Sequence, residues 1–191
     1  MGSTISPVVA PGAMRRLPQP SLPAGDLLLR PWTPGDAGQV LDAFRDAEIQ
    51  RWHRVAMTTH EEALAWVGRW AGAWEAETAA GWAVTDAVTG AVLGRVGLRD
   101  MDLPEGRAEV GYWVLPAARG RGVAVRAVSA AVRWGFEGLG LHRLELQHST
   151  RNHASCRVAG KAGFAVEGVL RAALLHADGW HDMEVHALLN A

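Results

Sequence analysis

The chain has 191 residues, about one domain on a scale of roughly 100–200 residues each. Hydrophobic residues make up 49% and the formal net charge is -1, which excludes a fully disordered chain and argues against a general nucleic-acid binder or a polybasic membrane binder. One cysteine, Cys156, excludes an internal disulfide framework and a Cys-based zinc cluster, and it fits a reducing, cytoplasmic compartment.

Residues 1–24 hold five of the nine prolines (Pro7, Pro11, Pro18, Pro20, Pro23) and show little periodicity. They predict a flexible or extended leader ahead of one domain over 25–191. Pro7 and Pro11 interrupt the only candidate secretory h-region, Arg15-Arg16 precedes none, and Met14 offers an alternative start. No apolar run approaches the ~18 residues of a membrane span.

From Asp26 a mixed α/β pattern begins. Leu27–Arg30 predicts a first strand, and Thr33-Pro34-Gly35-Asp36 an N-cap with proline at the first helical position. Thr59 and Glu62 form a capping box before a helix carrying Leu64, Val67, Ala71 and Trp74. On it Trp66, Trp70 and Trp74 are spaced by four, as core or a groove wall rather than a cofactor box. Trp82–Thr85, Ala91–Leu98 and Ala108–Leu115 predict strands. Val125, Val128, Val132, Phe136 and Leu139 form the apolar stripe of a helix ended by Gly138 and Gly140. Arg143–His148 predicts a strand, Asn152–Ala162 a short helix stopped by Gly163, and Phe164–Leu174 and Trp180–Leu189 two last strands.

The chemistry concentrates at Arg119-Gly120-Arg121-Gly122-Val123-Ala124, between a strand and a helix. Glycines let a ligand approach the backbone, and the free N–H groups and dipole of a helix start favour an anion. An ordinary tight turn has the same glycines. A dinucleotide fingerprint is absent, since Val125 stands at the third glycine position; a P-loop is absent, since Ala162 follows Gly160-Lys161.

Arg119-x-x-Gly122-x-Ala124, after the strand Glu109-Val-Gly-Tyr112-Trp-Val-Leu-Pro116, resembles the acetyl-CoA motif of the GNAT acyltransferase superfamily. Asn152-His-Ala-Ser155, Lys161-Ala-Gly163-Phe164 and Glu167-Gly168-Val-Leu170-Arg171 resemble its RimJ/RimL branch, which acetylates amino groups. The resemblance covers roughly residues 26–189. It implies an α/β (α+β) fold, a mixed sheet of six or seven strands flanked by about four helices. Its fourth and fifth strands splay, with pantetheine in the split and the pyrophosphate on the loop. The implied cofactor is acetyl-CoA, leaving as CoA, with contacts from Val114, Leu115, Arg119, Gly120, Arg121, Gly122, Val123, Ala124, Asn152 and Ser155. Splayed strands leave free backbone groups that can pair with pantetheine amides. Arg119 and Arg121 add charge to phosphate or are solvated surface arginines.

Acetyl transfer requires a neutral amine, donors for the thioester oxygen and a proton for the departing thiolate. Glu109, in an otherwise apolar strand, reads as the base, or as a solvated or arginine-paired carboxylate. Ser155 reads as the proton donor, or as a polar first-turn residue. After Arg171, where some RimL-type enzymes carry a glutamate, this chain reads Ala172-Ala173-Leu174-Leu175. Cys156 lacks a motif-level histidine or acid partner, and the eight histidines show no metal-ligand spacing, so no metal is expected.

The acceptor groove is assigned to Glu48–Arg54 and His176–Asp182, with Trp52, His53 and Trp180 as contacts. Its mixed charge suits a peptide N-terminus or an amino-acid-like metabolite rather than a polycation. The expected protein is a cytoplasmic N-acetyltransferase with an amine substrate and neither a nucleic-acid nor a membrane partner. The alternatives are a non-catalytic acyl-CoA-binding module, a nucleotide-binding regulator, or an antibiotic or polyamine acetyltransferase.

Overall fold

The computed structural model describes residues 5–53 and 55–190. Its strands are β1 (Leu22–Ala24), β2 (Leu27–Pro31), β3 (Ala80–Asp86), β4 (Val92–Asp102), β5 (Arg107–Val114), β6 (Arg143–Ser149), β7 (Ala165–His176) and β8 (Gly179–Leu189). Its α-helices are α1 (Ala37–Ala43), α2 (Ala47–Trp52), α3 (His60–Glu75), α4 (Val123–Arg133) and α5 (His153–Lys161). The strands form one mixed sheet in the order β1-β2-β3-β4-β5-β6-β8-β7. Only the β5–β6 pair is parallel. Seven of the strands are the expected ones; the eighth, β1, comes from the proline-rich segment.

Local chemistry explains the helix starts. Thr33 N and Oγ donate to Asp36 at 2.8 and 3.0 Å, and Arg30 grips the same carboxylate through two bonds of 2.7 Å. Burial works against that charge, but the Arg30 and Thr33 bonds outweigh it and hold Asp36 below its usual range. Thr59 Oγ accepts from Glu62 N while Glu62 accepts from Thr59 N, the expected capping box of α3. The helix expected through Leu139 instead relaxes into a π turn over Trp134–Gly138. Trp134 packs there on Trp74 and Trp82, with ring centroids 5.7 and 5.0 Å apart.

The leader departs from expectation: it docks. Val8 N and Val9 N donate to the carbonyls of Pro104 and Leu103. Gly12 N and Met14 N donate to the Glu77 carboxylate, and Met14 is buried. The indoles of Trp74 and Trp82 donate to Leu17 O and Pro20 O at 3.0 and 2.8 Å. Buried indole N–H groups need partners, and this segment supplies them. Residues 1–4 of the leader lie outside the described residues.

Two apolar clusters hold the sheet. One joins α4 to β2–β6 around Trp82, Leu98, Val128 and Leu144. The other joins α1 and α3 around Phe44, Trp66, Trp70 and Trp113. Trp70 lies so close on β3 that a Cβ at Gly81 would come within 2.3 Å of its ring, so only glycine fits. Of the tryptophan stripe, Trp66 and Trp70 belong to this second core and Trp74 to the first.

Candidate active site

β5 and β6 pair only at Arg107–Arg143, Ala108–Leu144 and Glu109–Glu145. Beyond Glu109 the two strands part, as the resemblance implied. Leu115 N donates to Leu93 O at 2.9 Å, which fixes the alternation of the β4–β5 ladder. By that alternation the N–H and C=O groups of Val110, Tyr112 and Val114 point into the split. Leu115, expected to contact cofactor, has its N–H committed to β4 and packs on the Trp113 cluster instead.

The split opens into a cleft of about 980 Å³, lined by Glu109, Tyr112, Val114, Arg119, Gly120 and Gly122. Val123, Ala124, Asn152, Ser155, Trp52 and His53 also line it. Arg121 lies outside this lining. Gly120 and Gly122 have φ values of +75° and +72°, a conformation costly for residues with a side chain. They turn the chain so that the first-turn N–H groups of α4 face the cleft's end without helical partners. Arg119 is less free than expected: its Nε donates to Val114 O at 3.2 Å, and it is ion-paired to Asp46, the N-cap of α2.

Asn152 caps α5, its Oδ1 accepting from Ser155 N at 3.1 Å. The Tyr112 hydroxyl donates to Ser155 Oγ at 2.9 Å across the split. Burial pushes the Tyr112 phenol up to about 12, so it stays protonated at neutral pH. With Oγ accepting from Tyr112, the Ser155 proton is free to serve another acceptor. Glu109 sits where the strands part and is ion-paired to Arg99. Burial raises its pKa, and the Arg99 charge opposes that rise without cancelling it.

Three features escaped the sequence reading. Tyr112 is one. A second is the bonded series Ser149 Oγ–His181 Nδ1 (2.8 Å) and His181 Nε2–Asp178 Oδ1 (2.7 Å), which runs from the cleft wall to an exposed carboxylate. A third is the arginine group opposite the split. Arg95, 7% exposed, lies over the Trp70 indole at 4.5 Å, with Arg69 also over that ring at 4.8 Å. Burial, then the like charges of Arg69 and Arg99, pull the Arg95 pKa down. Its Nε is buried without a hydrogen-bond partner among the described residues. No linear signal marks this group, since the arginines come from α3 and β4.

His53 joins this wall, and burial, aided by Arg95, pushes its imidazole down to about 4, so it is neutral at pH 7. Trp52 packs edge-on against His176, whose ring stacks on His181 at 4.2 Å. Trp180 is 61% exposed and lies outside the cleft lining, contrary to its assignment. It stands opposite Leu175 in the β7–β8 hairpin, and His176 and Leu174 line the cleft in its place. Arg54, also assigned to the groove, lies outside the described residues. The histidines, which show no metal-ligand spacing along the sequence, do cluster in space: His148 and His186 meet beside Cys156 and Glu184.

A mixed sheet split beside a glycine-led helix start, with polar groups at the fork, defines an acyl-CoA-type transferase. The model of the acetyltransferase (GNAT) domain family matches residues 26–165, and the chain belongs to that family. It is 29% identical over 171 residues to YoaA of Bacillus subtilis, described as an uncharacterized N-acetyltransferase, covering 89% of this chain and 97% of that one. Ribosomal-protein-S5-alanine acetyltransferase from Vibrio fischeri superposes with a TM-score of 0.81 at 22% identity, over 90% of this chain and 97% of that one. RimL, a ribosomal L7/L12 α-N-protein acetyltransferase solved with coenzyme A, gives 0.83 at 18% identity, over 89% and 98%. No helix among the described residues is long and apolar enough to cross a membrane.

Proposed function

We propose that the protein, acting in the cytoplasm, moves the acetyl group of acetyl-CoA to the primary amine of an acceptor that also carries a carboxylate. One observation carries this reading: the free edge of β5, the start of α4, Glu109 and Ser155 open onto the same cleft as Arg95, whose Nε is buried without a hydrogen-bond partner among the described residues. The residues fit the cofactor. Backbone groups of Val110, Tyr112 and Val114 can pair with an extended amide chain, and the first-turn amides of α4 suit a pyrophosphate.

When bound, acetyl-CoA supplies an acetyl group activated as a thioester. Glu109, its pKa raised by burial, takes the proton that the acceptor ammonium must lose. Ser155, held by Tyr112, presents its own proton to a departing thiolate. Arg95, with Arg69 beside it, holds the acceptor's carboxylate, because a buried guanidinium gains most from a charged, bidentate partner. The same arginines repel a polycation. This favours a short peptide or amino-acid-like amine over spermidine or an aminoglycoside.

The test is an acetyl-CoA turnover screen over peptides with and without an acidic residue near the α-amine, amino-acid-like amines, spermidine and kanamycin. Turnover should be greatest on amines with a nearby carboxylate. Robust acetylation of spermidine or kanamycin, with peptides and amino acids inert, overturns the acceptor class.

A further inference from the structure

In the antiparallel pair β6–β8, His148 stands opposite Glu184 and Leu146 opposite His186. The two-residue period of a strand sends His148, Glu184 and His186 to one face of the sheet. Cys156, from α5, joins them, and one ligand atom from each of the four lies within 4.8 Å of all the others. The Nε2 atoms of His148 and His186 are 2.9 Å apart. Glu184 Oε2 is 3.1 Å from His186 Nε2 and 3.4 Å from His148 Nε2.

Four ligands bound at about 2.0–2.3 Å around a tetrahedral ion have donor atoms about 3.3–3.8 Å apart. The three nitrogen and oxygen spacings, 2.9, 3.1 and 3.4 Å, lie at or just short of that range, the Cys156 sulfur lies within 4.8 Å of each, and a small outward rotation of the rings makes room for an ion. His148 Nδ1 lies 2.9 Å from Ser149 O. As the donor in that bond, Nδ1 carries the proton and Nε2 turns its lone pair to the centre, the orientation of an imidazole ligand backed by a carbonyl. His186 Nε2, 3.1 Å from Glu184 Oε2, is the donor facing that lone pair, and its Nδ1 is buried without a hydrogen-bond partner among the described residues, so an ion at the centre takes the place of the Nε2 proton.

We propose that His148, Cys156, Glu184 and His186 form a four-coordinate site for a divalent d-block ion, zinc first among them. One sulfur, two imidazole nitrogens and one carboxylate oxygen suit zinc, whereas magnesium and calcium demand oxygen ligands. Four protein ligands leave no open position, so the ion is structural. It pins α5 to β6 and β8, and so fixes Ser155, the neighbour of Cys156. Cys156 and Glu184 are only partly buried and give the ion its way in. The ligands come from three elements and share no short motif, which is why the sequence conceals them.

The test uses the full-length, untagged protein, stripped with EDTA and titrated with zinc chloride and, separately, with cobalt chloride. The expected results are one equivalent of zinc, a raised melting temperature, tetrahedral d–d bands with cobalt and a thiolate-to-cobalt charge-transfer band. Cys156→Ser should abolish the charge-transfer band and weaken zinc binding by about 10-fold or more; Glu184→Gln should weaken binding and keep the band. Circular dichroism checks that both variants fold, and the unmutated protein's cobalt spectrum stands without them. Absence of stoichiometric binding, a cobalt spectrum without the thiolate band, or zinc affinity unchanged in both folded variants overturns the site.

Discussion

The Tyr112 hydroxyl reaches Ser155 Oγ at 2.9 Å and bridges β5 to α5 where the sheet opens. One bond thus ties the free edge that suits a cofactor to the residue that suits a leaving thiolate. Ser155→Ala should lower kcat about 10–100-fold, at or below the low end for general acid–base catalysis, with CoA affinity nearly unchanged. Tyr112→Phe should lower kcat less, because Ser155 keeps its proton and loses only its orientation. Steady-state kinetics with calorimetry separate the two effects; equal kcat in all three proteins removes Ser155 from the chemistry.

Glu109 and Arg99 make a prediction with a definite sign. Burial raises the Glu109 pKa and Arg99 opposes the rise. A base with a raised pKa is ionised only above it, so kcat/KM should climb with pH through a value above the ordinary glutamate range. Arg99→Met removes the opposing charge and should move that limb to higher pH. Glu109→Gln should abolish the limb and lower the rate. If Glu109→Gln leaves the limb in place, the Ser149–His181–Asp178 series becomes the route for the proton.

Gly122 caps α4 with a φ of +72°, and a Cβ there would touch only Arg126, at 3.4 Å. Aspartate tolerates this conformation better than most residues and is itself a good N-cap. Gly122→Asp should therefore fold, bond the first-turn amides with its own carboxylate and exclude a pyrophosphate. CoA affinity should fall at least about 10-fold, the equivalent of 1.4 kcal/mol, while the left-handed backbone costs up to about 1–2 kcal/mol of stability and lowers the melting temperature by a few degrees. Unchanged affinity in the folded variant would move the anion elsewhere.

Much of this was legible because local patterns carried it. The Thr59–Glu62 box, the apolar stripe of α4 and the glycines at 120 and 122 each state their structure within a few residues. What was hidden depends on residues distant in the chain. Tyr112 and Ser155 are 43 positions apart, and Arg69 and Arg95 meet over Trp70 from α3 and β4. Trp180 misled because aromatic residues in a hairpin point to either face, and a one-residue choice of face decides whether they reach the cleft.

The docked leader was hidden for the same reason, and it reverses the expectation of a flexible or extended segment. Removing residues 1–21 takes away the carbonyls that receive the Trp74 and Trp82 indoles, the Glu77 bonds of Gly12 and Met14, and the buried Met14 side chain. Each orphaned buried donor costs about 1–3 kcal/mol, and a buried methionine about 1.5–3 kcal/mol more. At roughly 2–4 °C per kcal/mol for a chain of this size, the melting temperature should fall by about 10 °C or more. Thermal unfolding of the truncated and full chains measures it directly, and an equal melting temperature would show that the two indoles find other partners.

Arg95→Met tests the acceptor assignment from the protein side. Methionine fills much of the same space over Trp70 and removes the charge. Because the Arg95 Nε has no hydrogen-bond partner to orphan among the described residues, relief of a buried charge offsets the lost contact with the Trp70 ring and stability should change little. KM for a carboxylate-bearing amine should rise about 10–100-fold, the loss of a charge-assisted bond worth about 1.5–3 kcal/mol, while KM for acetyl-CoA holds. An acceptor without a carboxylate should lose nothing and, if cationic, should improve as the positive field of the wall falls. The KM ratio between the two acceptors therefore measures what Arg95 does. A ratio unchanged by the substitution would mean that the guanidinium shapes the wall and selects nothing.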